Sequence, residues 1–366
     1  MKKFIFKVII YILPFALTIG PFLFVALRTG EILSYDTIIN IQNHSENVIV
    51  GMAYNEQRSY YKYANVNEKK VDVIAFGTSR VLPFREEYFE TTFYNCGSIV
   101  SGNFNEYLYV LENLENLPQV IILGVDQWIF NDNWNKPYEA TSFSQLVESD
   151  IDEAAIVKTM MLDYAEGKWE FKQVLNGEHN LGLSGVVKGK GYRKDGSYSY
   201  ADVYRDVKNS SDYGFRGTLQ SIEKGTDRFQ YADELDVTTI RYFEQLLAYC
   251  YEKDIKVIAF TPPFAPTVCK AMDNENYDYM KQIAPTVQVI CEQYGYEFYD
   301  FTDVSKLGCT DDYFVDGFHG GDIAYGMMVL EMCERKSYLA EIVDEKLLDE
   351  MIMHRYSNLC FEMEEN

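Results

Sequence analysis

Short apolar runs alternate with amphipathic stretches along most of the chain. VDVIAF (Val71–Phe76), VIILGV (Val120–Val125), KVIAFT (Lys256–Thr261) and EFYDF (Glu297–Phe301) are rich in Val, Ile and aromatic residues, with little polar alternation. Strands of that kind are apolar on both faces, which predicts a parallel sheet covered on each side. Between the runs the period changes. Within 232–254, Leu235, Ile240, Phe243, Leu247 and Tyr251 recur at three- to five-residue spacing and predict a helix. Further helices are predicted over Phe104–Glu115 and over Pro285–Tyr294, the latter with its proline in the first turn. Alternating strands and helices predict a doubly wound α/β fold with flavodoxin-like layering over 71–335.

The N-terminus follows another rule. Val8–Leu27 is uncharged and apolar over about the 20 residues that a helix needs to cross a hydrocarbon core. Pro14 and Pro21 would kink such a helix, which membrane helices tolerate. Lys2, Lys3 and Lys7 precede the run, so the positive-inside rule puts the N-terminus in the cytoplasm and Arg28 onward outside. Residues 1–30 therefore read as a single-pass signal anchor. A cleaved signal peptide is the alternative, but the run is long for one and its exit, FVALRTGE, lacks a small-x-small cleavage site.

The strand–helix alternation lapses in three places. Residues 31–70, polar and rich in Asn and Tyr, are expected to form a juxtamembrane stalk with one helix. Residues 131–228 contain GVVKGKGYRKDGSYSYADVYRD and no sheet strand pattern. A structureless loop of that length does not suit a compact domain, which predicts an inserted subdomain or lid beside the ligand site. Residues 336–366 are expected to form a helical tail.

Charge narrows the function. The chain of 366 residues has 33 basic and 56 acidic side chains, a net −23. Residues 1–30 carry Lys2, Lys3, Lys7 and Arg28 and no acid, leaving the remainder at −27. That excludes a nucleic-acid protein, and tight binding to anionic lipid or polyphosphate would need bridging cations. The seven cysteines form no CxxC pair or zinc spacing, and no HExxH or His-rich cluster suggests a metal hydrolase. Among the 30 Tyr, 23 Phe and 3 Trp, Trp128, Trp134, Tyr192, Tyr198 and Tyr200 are aromatic candidates for packing on sugar rings. Arg193, Lys194 and Asp195 are polar candidates at a Gly-flanked turn.

Two short segments carry the candidate chemistry. FGTSR puts Ser79 directly after the first strand, at the sheet edge where α/β folds bind ligands, and ahead of an expected helix start. YFVDGFHGG pairs Asp316 with His319 in a D-x-x-H spacing. A serine nucleophile needs a base, and the base needs an acceptor that fixes its tautomer. Of His44, His179, His319 and His354, only His319 lies between a strand region and a helix start.

The order GTS after the first strand, Asn95-x-Gly97 and Ser101-Gly102-Asn103 after the second, and a terminal D-x-x-H resembles the SGNH/GDSL hydrolase superfamily, over roughly Val71–Cys333. GTSR in place of GDS, the single N-terminal anchor and the long insertion are most similar to its exported branch. That branch works beside membrane-bound O-acyltransferases and includes the D-alanyl transfer protein of teichoic acid synthesis and the alginate O-acetylation proteins. The resemblance implies Ser79 as nucleophile, His319 as base and Asp316 as orienting acid, with no cofactor. It implies an oxyanion hole from the amide of Ser79 and that of Gly97 or Gly102, with Asn103 and Arg80 as further candidates for oxyanion or substrate binding.

The third family block departs from its pattern. Gly124-Val125-Asp126-Gln127 has Asp where the family has an asparagine donor. An ionised Asp126 would repel an oxyanion, so either Gln127 replaces the donor or Asp126 binds a substrate hydroxyl. The expected function is a membrane-anchored, extracytoplasmic O-acyltransferase, acetyl being the expected group, acting on a cell-surface polysaccharide or teichoic-acid-like polymer, with a membrane-bound O-acyltransferase as partner. The alternatives are an esterase of the same polymers and a catalytically inert polymer-binding module.

Overall fold

Hydrogen bonding between the two-sided apolar segments builds one five-stranded sheet in the computed structural model. It describes residues 16–134 and 142–362, together with Met1, Phe4, Phe6, Tyr11, Leu13 and Pro14. The strands are β1 (Val73–Phe76), β2 (Phe93–Asn95), β3 (Val120–Gly124), β4 (Lys256–Thr261) and β5 (Glu297–Asp300). All pair in parallel, in the order β2-β1-β3-β4-β5. Every residue of β1 and β3 is buried, as continuous apolar runs require. The strand order reverses between β1 and β3, where Phe76 pairs with Leu123. The carboxyl ends of these two strands are the topological switch point, where open α/β sheets bind ligands.

The sheet belongs to a unit formed by 58–148 and 195–365; residues 1–57 and 149–194 form another. In the sheet unit, α1 (Phe104–Asn113) and α2 (Val237–Glu252) pack through Phe104 and Phe243, whose ring centroids are 5.0 Å apart. Asp236 caps α2 by accepting from the Thr238 amide. α3 runs over Asp278–Gln293, so Pro285 sits inside the helix rather than at its start. Burial of Tyr279, Ile283, Val287, Ile290 and Cys291 along one face outweighs the backbone hydrogen bond that the proline forfeits. α4 (Asp322–Glu334) packs against α5 (Glu345–Met353), and around Gly326 the helix meets Leu348, Ile352 and Phe361 of the C-terminal segment.

In place of one stalk helix, 31–70 holds two, Tyr35–Asn43 and Arg58–Lys69, each with a buried face. Arg58–Lys69 belongs to the sheet unit. The stretch expected as one insertion divides between the units at Lys194 and Asp195. In the other unit, Phe22, Tyr164, Trp169 and Phe171 form an aromatic cluster with centroids 4.9–6.1 Å apart. The buried carboxylate of Glu31 accepts from the amides of Ala53, Tyr54, Asn55 and Leu183. Among the described residues no helix is long and apolar enough to cross a membrane. Val8–Ile10, Ile12 and Phe15 of the expected span lie outside the described residues. All seven cysteines are free thiols, and all but Cys269 are buried.

Candidate active site

At the end of β1 the chain turns sharply. A methyl group on Gly77 or on Gly124, at the end of β3, would collide with the Val81 side chain, so both positions need glycine. Thr78 accepts from the Arg80 amide at 3.3 Å and donates to Asp126 Oδ2 at 2.5 Å. The expected helix after Ser79 is a single 3-10 turn, Ser79–Val81, too short to supply a helix dipole. Ser79 thus owes its orientation to the turn and to its neighbours.

Asp316 and His319 come from the loop between β5 and α4, which closes on itself through Val315 N–H to His319 O at 2.8 Å and Gly321 N–H to Tyr313 O at 2.8 Å. Ser79 Oγ lies 2.7 Å from His319 Nε2, and Asp316 Oδ2 lies 2.7 Å from His319 Nδ1. Asp316 Oδ1 accepts from the amides of Phe318 and His319 at 3.0 and 2.9 Å. Burial pushes the Asp316 carboxyl upward, but the facing imidazole and the two amides outweigh it and hold the group below the ordinary carboxylate range. The carboxylate therefore stays ionised beside the imidazole. This chain of contacts is able to draw the proton from Ser79 Oγ while stabilising the imidazolium that results.

Of the two glycine amides expected beside that of Ser79, Gly102 is available to an oxyanion and Gly97 is not. Gly97 N–H donates to Asn95 Oδ1 at 2.8 Å and is spoken for. The amides of Ser79 and Gly102 donate to no acceptor among the described residues. Gly102, at φ +113°, lies so close to the nucleophile turn that a Cβ would stand 2.9 Å from Thr78 Cγ2. The neighbouring Asn103 Nδ2 is buried and has no hydrogen-bond partner. Gly102 and Asn103 therefore remain as donors on that side, and Gly97 does not.

Arg80, Asp126 and Gln127, expected to meet substrate or oxyanion, are instead consumed beneath the turn. Arg80 is fully buried, and its five N–H groups donate to five acceptors: Asp126 Oδ1 at 2.8 Å, Gln127 Oε1 at 2.6 Å, Pro262 O at 2.6 Å, Pro263 O at 2.7 Å and Phe318 O at 3.0 Å. Its guanidinium lies over the rings of Phe264 and Trp128, at 4.2 and 4.8 Å. Tyr325 of α4 donates to the Arg80 carbonyl. Gln127 Nε2 donates to Pro262 O and Thr302 Oγ1 at 2.9 and 3.0 Å, which leaves no amide for an oxyanion. Asp126 is neutralised by Arg80, so its charge is not aimed at Ser79. Through Phe318 O, Arg80 ties the turn bearing Ser79 to the loop bearing His319.

The other candidates scatter. The Tyr200 ring lies 6.1 Å from that of His319, with Tyr198 beside it at 4.9 Å. Trp128 is buried, and Tyr192 belongs to the other unit. Asp195 accepts from Glu86 N, Ser197 N and Ser197 Oγ, which fixes a turn. Lys194 donates to Asn43 O. No group of three or more His, Cys, Asp and Glu among the described residues could hold a metal ion.

One neighbour carries no sequence signal. Arg228 is partly buried, with its guanidinium 4.3 Å from the Phe318 ring centroid and 5.0 Å from that of Trp128. The Phe318 ring lies 4.5 Å from that of His319. No motif surrounds Arg228 in the sequence, so only the folded arrangement brings it to the site. Compared with known proteins, the chain matches no family model, no curated protein and no solved structure.

Proposed function

We propose that the protein is a membrane-anchored, extracytoplasmic O-acyltransferase of the SGNH type that modifies a cell-surface polysaccharide or teichoic-acid-like polymer. The observation that carries the reading is the hydrogen-bonded sequence Ser79–His319–Asp316 at the switch point of a parallel sheet. In this reading His319 takes the Ser79 proton as Oγ attacks the acyl carbonyl, and the amides of Ser79 and Gly102 receive the oxyanion. His319 then returns the proton to the leaving oxygen. A polymer hydroxyl attacks the acyl-serine in the second half-reaction, His319 again serving as base. The Arg80 network supports this by holding the two loops in register. Anchoring rests on the uncharged Val8–Leu27 run and on the exposure of Tyr11, Leu13, Leu17, Ile19, Leu23, Phe24 and Leu27. A multispanning acyltransferase that supplies the acyl group is the proposed partner.

The test uses the full chain in detergent with an activated acetyl ester. Intact mass and acetate release are followed for wild type and Ser79→Ala. A Ser79-dependent acetyl adduct that polymer hydroxyls discharge supports transfer, and discharge to water alone supports the esterase. Equal behaviour of the two proteins overturns the reading.

A further inference from the structure

The last turns of the apolar N-terminal run do not stand clear of the protein. The helix Gly20–Thr29 buries Val25, Ala26 and Thr29, and it packs against the helices Glu153–Ala165 and Phe171–Leu175 of its own unit. Its other face leaves Leu23, Phe24 and Leu27 exposed. On the packed face, the Phe22 ring lies 5.5 Å from those of Tyr164 and Phe171 and 6.1 Å from that of Trp169. At about 1.5 Å of rise per residue, Phe22 stands roughly 7–8 Å back along the axis from Leu27, the last apolar residue before Arg28. A span that reaches Leu27 therefore carries Phe22, and the three rings around it, below the edge of the hydrocarbon. Tyrosine and tryptophan are the side chains that this zone of a bilayer favours.

The surface beside the cluster suits the same place. Leu162 and Tyr164 on the first of the two helices and Leu175 on the second are 54, 40 and 64% exposed. Lys168, in the turn between them, lies 2.7 Å from Asp163 and 3.0 Å from Glu166, so charges that would otherwise meet lipid singly are paired. We propose that residues 160–175 form a second membrane contact, an interfacial seat that lies in the headgroup zone of the leaflet where the span exits, with Leu162, Tyr164 and Leu175 turned toward the acyl chains. The proposal rests on the reading of Val8–Leu27 as a membrane span. Continuity names the bilayer as occupant, because the seat is packed on a helix whose outer face, Leu23, Phe24 and Leu27, continues the apolar run. With three acids and two lysines over 161–175, apolar insertion rather than attraction to anionic lipid supplies the binding. Span and seat together hold this unit at a fixed height and tilt on the membrane, where a span alone would leave it on a tether.

The test reads depth at chosen positions. The full chain is reconstituted into phosphatidylcholine vesicles, plain or brominated near the headgroup end of one acyl chain, and tryptophan emission is compared between the two. Leu162→Trp and Leu175→Trp each place a probe on the seat, and Tyr251→Trp places one on an exposed helix of the sheet unit. Melting curves establish that each variant is folded, and flotation after an alkaline carbonate wash establishes that the chain is anchored. The expected result is a loss of emission in brominated vesicles for Leu162→Trp and Leu175→Trp beyond that of the parent chain, with no added loss for Tyr251→Trp. Anchored chains in which neither seat probe is quenched, or in which all three are quenched alike, overturn the proposal and leave the span standing. If the unquenched probes belong to chains that cross-link in pairs, the face is an interface between copies and the bilayer is excluded as its occupant. Chains that the carbonate wash strips from the vesicles remove the span itself, and the seat with it.

Discussion

Two arginines lie against the same indole, Trp128, and their surroundings are opposite. On the floor beneath Ser79, Arg80 is fully buried and every N–H has an acceptor. On the rim beside His319, Arg228 is only partly buried and has none among the described residues. Burial of a charge is tolerated when ion pairing and hydrogen bonds offset its desolvation, and Arg80 meets both conditions. Arg228 meets neither and keeps only its aromatic contacts. A matched cation ties distant segments of the fold together, whereas an unmatched one contributes only its stacking on the rings beside it.

The largest effect expected is at the junction of floor and rim. Asp316→Asn keeps the shape of the loop but removes the acceptor that fixes the His319 tautomer, so Ser79-dependent acylation should fall about 10⁴-fold. Single-turnover acetylation followed by mass would measure this, and a loss below tenfold would deny Asp316 its orienting part.

Next comes the floor itself. Arg80→Met leaves Asp126 buried without its partner and should cost about 3–5 kcal/mol of stability in denaturant unfolding. Adding Asp126→Leu to that variant should recover part of the loss, because the stranded charge is removed with it.

A third buried cation tests the rule under titration. Lys62 is fully buried and donates to the carbonyls of Asn95 and Gly196, and desolvation pushes it down to about 7. Cys96, Asp195 and Arg58 act on it electrostatically, and its ammonium lies 5.6 Å from the centroid of the Tyr94 ring. In the unfolded chain an ordinary lysine stays protonated to about pH 10.4, so between about 7 and that value the unfolded state holds one more proton. Stability should therefore rise with pH across this window, by at most about 1.4 kcal/mol per pH unit, and be lowest below it. Lys62→Met should flatten that rise in thermal melts taken from pH 7 to 10. An unchanged slope would assign the dependence to other groups.

The smallest effect belongs to the rim. Arg228→Gln should change unfolding stability by less than about 1 kcal/mol, since only aromatic contacts are lost. A loss as large as that of Arg80→Met would erase the distinction between the two arginines.

Parts of this arrangement were legible in the sequence for identifiable reasons. β1, β3 and β4 coincide with continuous apolar runs, because two-sided burial leaves no room for alternation, whereas the edge strand β5 coincides with EFYDF although only Tyr299 of the strand is buried. β2, only the three residues Phe93–Asn95, is too short to form such a run and is marked in the sequence only by the Asn95-x-Gly97 block at its end. The Asp316–His319 contact spans three residues, so its spacing already implies a shared turn. The Arg80 contacts span 46 to 238 residues, and no local pattern encodes acceptors that the chain brings together only on folding. That is why Arg80, Asp126 and Gln127 read as ligand-facing residues from sequence and turn out to be internal ties. Pro285 shows the same limit from another side: local proline rules predict a helix start, and tertiary burial carries the helix through it.

The contact between Ser79 and His319 joins positions 240 residues apart, which gives the molecule a calendar. A chain made or exported N-terminus first presents its serine early. The imidazole follows on the order of ten seconds later or more at ordinary rates of synthesis. Tyr325, which holds the Arg80 carbonyl, arrives later still. Throughout that interval the hydroxyl has no base to awaken it. Under the proposed chemistry, a chain in transit is silent by construction, and reactivity reports that the segments bearing Ser79 and His319 have both arrived and closed upon one another.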